Sequence, residues 1–295
     1  MSRRLGALSS RLLLFSSVAV VCAGLTAAPA AATDLGRAGG IDYQSQDTLT
    51  ILPGGHRFAF AVCPSETSLI GAGVAISDPQ FGPEAFLNNL GPSTAESAVG
   101  IVANSSSTDP ASATIFGMCS KIVVEGSARV KELPAGKSLT ARVSCPHDLH
   151  VTGGGVGLGG DNEDAFVNSY FPFDSGDHNR RPDDGWKVKV HNLTGGDRDI
   201  VVEAFCVAKR PTYTTRVDQL AIQNADFKAR CRNGGHLLSG GVRVDGRAKG
   251  ARVHNLRPTD NGSDPDTVPD DLVDVGVANT SGGTRTVTSY AICKS

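Results

Sequence analysis

The densest gatherings of side chains that could do chemistry in this 295-residue chain are two acidic stretches. One holds Asp174, Asp177, His178, Arg180, Arg181, Asp183 and Asp184; the other holds Asp260, Asn261, Asp264, Asp266, Asp270 and Asp271. Carboxylates at this density suit two chemistries. Extracellular calcium takes about six to eight oxygens from such clusters, and a glycosidase needs two acids across a cleft without any local motif. Neither stretch has the Asp-x-Asp-x-Asp-Gly spacing of a calcium loop, so no cofactor is expected and calcium is the one the composition admits. The pair Asp183-Asp184 recurs as Asp270-Asp271, with Ala95-Glu96 in a related place. A catalytic pair would occur once, so a repeated pair just ahead of a strand reads as structural or ion-binding. Glu203 interrupts an apolar strand where related segments have Phe116 and Tyr290, and it reads as a solvent-facing position.

Other chemistries find little support. His147-Asp148-Leu149-His150 falls in a turn between strands rather than on a helix, and no zinc signature accompanies it. Gly-x-Ser-x-Gly is absent, and no cysteine–histidine arrangement is recognisable. The glycine triplets invite a phosphate-loop reading. Such a loop needs a strand before it, a helix after it and, in the P-loop, a lysine; here a strand-like segment follows and no lysine does.

What must position these residues is a repeat. Apart from Cys22 there are six cysteines, and the first of each successive pair is followed eight residues later by a glycine-rich triplet and a valine. Cys63 leads to Gly71-Ala72-Gly73-Val74, Cys145 to Gly153-Gly154-Gly155-Val156, and Cys231 to Ser239-Gly240-Gly241-Val242. Pro92, Pro172 and Pro258 recur further on, and Asn104, Asn192 and Asn279 end short alternating runs before the closing Cys119, Cys206 and Cys293. Leu52-Pro53-Gly54-Gly55 matches Leu133-Pro134-Ala135-Gly136. Three copies therefore run over about 42–121, 122–210 and 211–295, after an N-terminal linker at 33–41. Within each copy the apolar period is two, as in Trp186-Lys-Val-Lys-Val190, which predicts about six strands per copy and no helix. The first copy is shorter in the acidic stretch and has lost most of its charge there. Trp186, matched by Ala98 and Val273, reads as a core anchor.

Cys63–Cys119, Cys145–Cys206 and Cys231–Cys293 are the disulfides that the repeat singles out from the fifteen possible pairings. Each would close a loop of about 60 residues, worth on the order of 4 kcal/mol. Residues 1–32 have the layout of a secretory leader: Arg3, Arg4 and Arg11, an apolar run from Leu12 to Leu25, then small residues. Arg3-Arg4 faintly resembles a twin-arginine export signal, but Gly6 and Ala7 stand where that signal usually carries bulky apolar residues. The apolar run is shorter than the roughly 20 residues a spanning helix needs, so the expectation is a secreted, extracellular protein without a membrane span. Removing a leader with three arginines and no acid takes the formal charge from −2 to −5. Nucleic acid, which requires a clustered basic surface, is not an expected partner.

The order Cys145-Pro146, Gly153 to Val156, Pro172, Gly185-Trp186, Asn192 and Ala204 to Cys206 resembles uncharacterised Cys/Gly-Gly-Gly/Trp β-repeats in secreted proteins of high-GC Gram-positive bacteria. That resemblance covers most of the chain after the leader, though the first copy lacks the Trp and the full Gly triplet. It implies a repeat protein of the cell exterior and brings no catalytic residues. In architecture alone, the threefold repetition is similar to the β-prisms of the vitelline membrane outer layer family.

The fold expected is all-β: three tandem disulfide-stapled antiparallel sandwich-like repeats, with a single pseudo-threefold β-prism as the alternative. The function expected is non-catalytic: a structural, adhesive or cell-envelope-binding protein whose acidic loops, 173–185 and 257–271, contact a glycan or an extracellular protein. The rival is a secreted polysaccharide hydrolase with paired carboxylates in a cleft between repeats.

Overall fold

The computed structural model describes residues 32–48, 50–77, 84–159, 165–175, 179, 181–247, 249–262 and 266–294. The leader thus lies outside the described residues, save Ala32, and so do Asp177, His178, Arg180 and Asp264. Every regular element among the described residues is a strand, and no helix is long and apolar enough to cross a membrane. A short β1 (Thr33–Ala38) precedes three sets of six. Copy one supplies β2 (Ile41–Asp47), β3 (His56–Val62), β4 (Ser68–Ser77), β5 (Ala85–Thr94), β6 (Ser97–Asn104) and β7 (Ser112–Ser120). Copy two supplies β8 (Glu125–Leu133), β9 (Ser138–Ser144), β10 (His150–Leu158), β11 (Ala165–Phe173), β12 (Gly185–Asn192) and β13 (Arg198–Val207). Copy three supplies β14 (Thr212–Leu220), β15 (Asn224–Arg230), β16 (His236–Val244), β17 (Ala251–Thr259), β18 (Leu272–Asn279) and β19 (Arg285–Lys294).

These strands make three antiparallel sheets, none closed into a barrel. The first runs β1-β2-β7-β4-β17-β18-β15, the second β3-β6-β5-β10-β13-β8 and the third β14-β19-β16-β11-β12-β9. Each copy is sandwich-like, with its first, third and sixth strands facing its second, fourth and fifth. Neither layer is a sheet of its own, however, because each continues into a layer of another copy. The strand order is therefore that of the single three-walled assembly. One apolar core cluster runs through all three copies.

The two layers join at a seam where pairing is brief: Val156 with Leu90, Tyr170 with Val242, and Leu256 with Val74 next to Asn255 with Ala75. The glycine triplets stand at this seam. A Cβ on Gly155 would lie 3.1 Å from the Gly91 Cα, one on Gly241 2.9 Å from the Tyr170 carbonyl oxygen, and one on Gly73 2.4 Å from the Leu256 carbonyl oxygen. The middle glycine faces inward: a Cβ on Gly154 would lie 2.2 Å from Trp186, which is fully buried and edge-on to Tyr170 at 4.7 Å. Each third strand carries a bulge just before the triplet, and each fourth strand carries another at Asn88, Asn168 or His254. The bulged asparagines reach the neighbouring copy, Asn88 donating to the Ala165 carbonyl at 2.8 Å and Asn168 to the Ala251 carbonyl at 2.9 Å.

Two other landmarks of the repeat are fasteners. The disulfides join Cys63 to Cys119, Cys145 to Cys206 and Cys231 to Cys293, each tying two different sheets of one copy. Asn192, fully buried, donates from its amide to the carbonyls of Leu133 and Pro134 at 3.3 Å and of Gly196 at 2.9 Å, and accepts from the Thr194 amide at 3.0 Å. Asn279 repeats the pattern on Leu220, Ala221, Gly283 and Ser281, and Asn104 holds Ile51, Asp109 and Ser106. One amide thus locks the turn after the first strand to the turn before the sixth. Replacing Asn192 with Ala strands several buried backbone groups, each costing about 1–3 kcal/mol. Urea unfolding of Asn192→Ala is expected to show a loss of at least about 2 kcal/mol with the disulfides intact.

Candidate functional site

Among the described residues, the acidic stretches are turns whose carboxylates are engaged within the chain. The carbonyls of Asp184 and Asp271 accept the N–H of Cys145 and Cys231, both at 2.8 Å, as that of Glu96 accepts Cys63 at 2.7 Å. The carbonyls of Asp183 and Asp270 accept from Val151 at 3.0 Å and Leu237 at 2.7 Å, as that of Ala95 accepts from Leu69 at 2.9 Å. The role of the pair in the backbone is therefore shared by all copies, acidic or not. Side-chain oxygens close the same turns: Asp184 accepts from Ser175, Asp260 from Gly262, Asp266 from Val268 and Asp271 from Asn261. Asp174 is half-buried just past the end of β11. Among the described residues no three His, Cys, Asp or Glu side chains gather as a metal ion would require.

Asp183 and Asp270 are buried and belong to clasps between copies that the sequence did not reveal. Asp183 meets His150 Nδ1 at 3.2 Å and Arg210 Nε at 3.1 Å, beside Tyr213, whose hydroxyl donates to the Val151 carbonyl at 2.6 Å. Asp270 hydrogen-bonds His236 Nδ1, beside Tyr43, whose hydroxyl donates to the Leu237 carbonyl at 2.7 Å. Burial, then the nearby aspartates, holds both phenols above their ordinary range. The far edge of the His236 ring packs on Gly39 of the β1–β2 turn. At the third equivalent junction the register places Gly126, Ser68 and Ala95, so Tyr, His and Asp are missing together. Losing all three at one junction marks them as a single fastening unit rather than three independent surface residues.

The outward faces of the three sheets are where the copies differ. Residues alternate along each strand, so the side opposite the core can be read directly from the register. On the third sheet, Lys187 and Lys189 of β12 stand out while Trp186, Val188 and Val190 are buried. The Lys187 ammonium lies 5.0 Å from the centre of the Phe173 ring and 5.7 Å from that of Phe171, and Arg142 lies 5.5 Å from Phe173. Phe171 stacks on Tyr290 at 5.8 Å across the seam, and Arg243 lies beside Tyr290. Desolvation, then the neighbouring Arg142 and Arg243, lowers the pKa of Lys187; desolvation and Arg285 lower that of Lys189. Arg142, Lys187, Lys189 and Arg243 thus share one face, where Asp245 answers Arg243 at 2.8 Å; Arg285, paired with the buried Leu220, instead closes the end of β19 by donating to the Asp245 carbonyl at 3.3 Å.

Equivalent positions carry other chemistry elsewhere. The first sheet pairs its charges, Arg257 with Asp274 at 3.1 Å near Asp226 and Lys228. On the second sheet, Val99, Ile101 and Phe60 stand where Lys187, Lys189 and Arg142 stand on the third, and Glu203 replaces Tyr290. Glu203 is not the fully solvated residue that its place in an apolar strand implied. Its carboxylate lies over the Gly91–Gly155 crossing beside Pro92, and burial pushes it up to about 7.

The chain matches no family model, and no curated protein matches it.

The folded state holds the Glu203 proton more tightly than the unfolded chain, so this residue's stabilisation is present in acid and lost as the pH rises from about 4.5 to about 7. At about 1.4 kcal/mol per pH unit the loss is about 3 kcal/mol, and urea titrations of Glu203→Gln should lack that slope. The junction that lacks a clasp offers a second test, because Gly126 has open space around its missing side chain. A chain carrying Gly126→Tyr, Ser68→His and Ala95→Asp is expected to gain about 1–2 kcal/mol from ring burial and hydrogen bonds there, read as a higher Tm.

Proposed function

We propose that this is a secreted, non-catalytic binding protein of the cell exterior, which holds an anionic polymer of the envelope on the outer face of its third sheet. The observation that carries this reading is the gathering of Arg142, Lys187, Lys189 and Arg243 on one face of a chain whose net charge is −2. A rigid sheet bearing cations two residues apart, about 6.8 Å, suits the repeated anionic groups of a phosphate- or carboxylate-bearing chain. The Lys187 ammonium and the Arg142 guanidinium lie over the buried rings of Phe171 and Phe173, which fixes where these cations stand on the face. The three disulfides suit an oxidising compartment. In a hydrolase the repeated acid pairs would have to serve as the reacting carboxylates; here their oxygens close turns and hold His150, Arg210 and His236 beside the tyrosines that join neighbouring copies.

Incubating the purified protein with cell-wall fractions, and measuring both retention and released reducing sugar, tests this reading. Retention without release is expected. Lys187→Ala with Lys189→Ala should weaken retention about tenfold at low ionic strength, and the difference should shrink as salt screens the face. Release of sugar abolished by a single Asp or Glu substitution would overturn the proposal.

A further inference from the structure

The outer face of the second sheet carries an exposed apolar surface that polymer binding on the third sheet leaves unused. Phe58 is 49 %, Val62 51 % and Val130 61 % exposed, and Val99 and Ile101 are half-buried between them. Exposed apolar patches of this kind mark interaction sites on soluble proteins. The charges near its centre are acidic. Glu203 sits near the middle, and Asp199 and Glu132 face each other on β13 and β8 on the same side. Among the described residues no hydrogen bond or ion pair meets the Glu203 carboxylate. A carboxylate held that way, on a floor of glycine and proline inside an apolar rim, is complementary to a cation carried on an apolar surface.

The molecule itself offers such a surface. On its third sheet, Lys187 and Arg243 stand beside the stacked rings of Phe171 and Tyr290, on a six-stranded wall built in the same strand order as the second. Two sheets of the same order and the same right-handed twist are congruent, and sheets so related pack face to face. Six strands about 4.8 Å apart make a wall about 24 Å wide, in keeping with the roughly 800 Å² that each partner gives to a standard interface. We propose that the protein associates head to tail with a second copy, the acidic apolar face of the second sheet of one molecule seating on the basic face of the third sheet of the next. The two faces differ, so the contact is heterologous, and addition continues into a ring or a filament. The association uses the face assigned above to the polymer, so polymer and second copy compete for it. The proposal rests on the two faces and not on the polymer reading.

Sedimentation velocity of the purified chain over a wide concentration range tests it. The mass-average is expected to rise with concentration and to fall back with salt. Glu203→Lys blocks one face, and Lys187→Ser with Arg243→Ser, which removes the cations without supplying a carboxylate, blocks the other, each weakening self-association by at least about tenfold. Mixed together, the two variants should form a one-to-one dimer and stop, since each retains only the face that the other lacks. Glu203→Gln, which keeps the shape without the charge, gives an intermediate loss if Glu203→Lys fails to fold. A wild-type chain that stays monomeric throughout, or folded variants that do not pair on mixing, would overturn the inference. Polymer retention by a monomeric Glu203→Lys variant would show that the function proposed above stands without it.

Discussion

The close crossing of backbones at the three seams is the constraint on which the rest of the structure depends. Gly73, Gly155 and Gly241 have no room for a Cβ, because a neighbouring copy's fourth strand lies against them. That approach lets a layer of one copy continue as a layer of the next, and it is what turns three sandwiches into three shared walls. The recurring Pro92, Pro172 and Pro258 lie at the same crossings, where pairing is confined to one or two positions and a missing N–H costs little. Each wall consequently mixes two copies, and each disulfide ties two walls.

Much of this was legible in the sequence, for identifiable reasons. The period of two along Trp186 to Val190 marked a strand with one buried side, and the spacing between cysteines marked the bridges. What the repeat could not reveal was which strands share a sheet. Landmarks such as Cys145, Gly153 and Asn192 recur at the same spacing whether the third strand pairs inside its own copy or with another, and only the three-dimensional seam distinguishes these. The assignment of the acids had a similar difficulty. Asp183 and Asp184 look solvated beside Asp174 in sequence, yet His150, Arg210 and Cys145, their partners, lie tens of residues away. The basic face was half visible, since Lys187 and Lys189 alternate with buried residues. Arg243 comes from another copy, so no reading of one repeat could add it.

The division of labour between positions is physical. Landmarks that recur three times face the core, the seam or the turns, where a change leaves a buried group unpaired or a backbone clash. Positions that face outward are under no such constraint, and there the copies have diverged to paired-charge, apolar and basic walls. Glu203 is the exception that mixes the two. It occupies a seam position filled elsewhere by Phe116 and Tyr290, and holding a charge there costs stability at neutral pH.

The clasp between Tyr43 and the His236–Asp270 pair has a consequence for chain connectivity. It sets the entry of the first copy against the third, with Gly39 on the His236 ring and accepting from the Lys294 ammonium at 2.7 Å. The gap between the last strand of the third copy and the first strand of the first is thus equivalent to the junctions that carry the chain from one copy to the next. Cutting at either of those junctions and bridging that gap would leave every seam, disulfide and clasp in place. As far as the folded state is concerned, the ring of repeats has no intrinsic starting point, and the order in which the ribosome supplies the copies is one of three equivalent circular permutations.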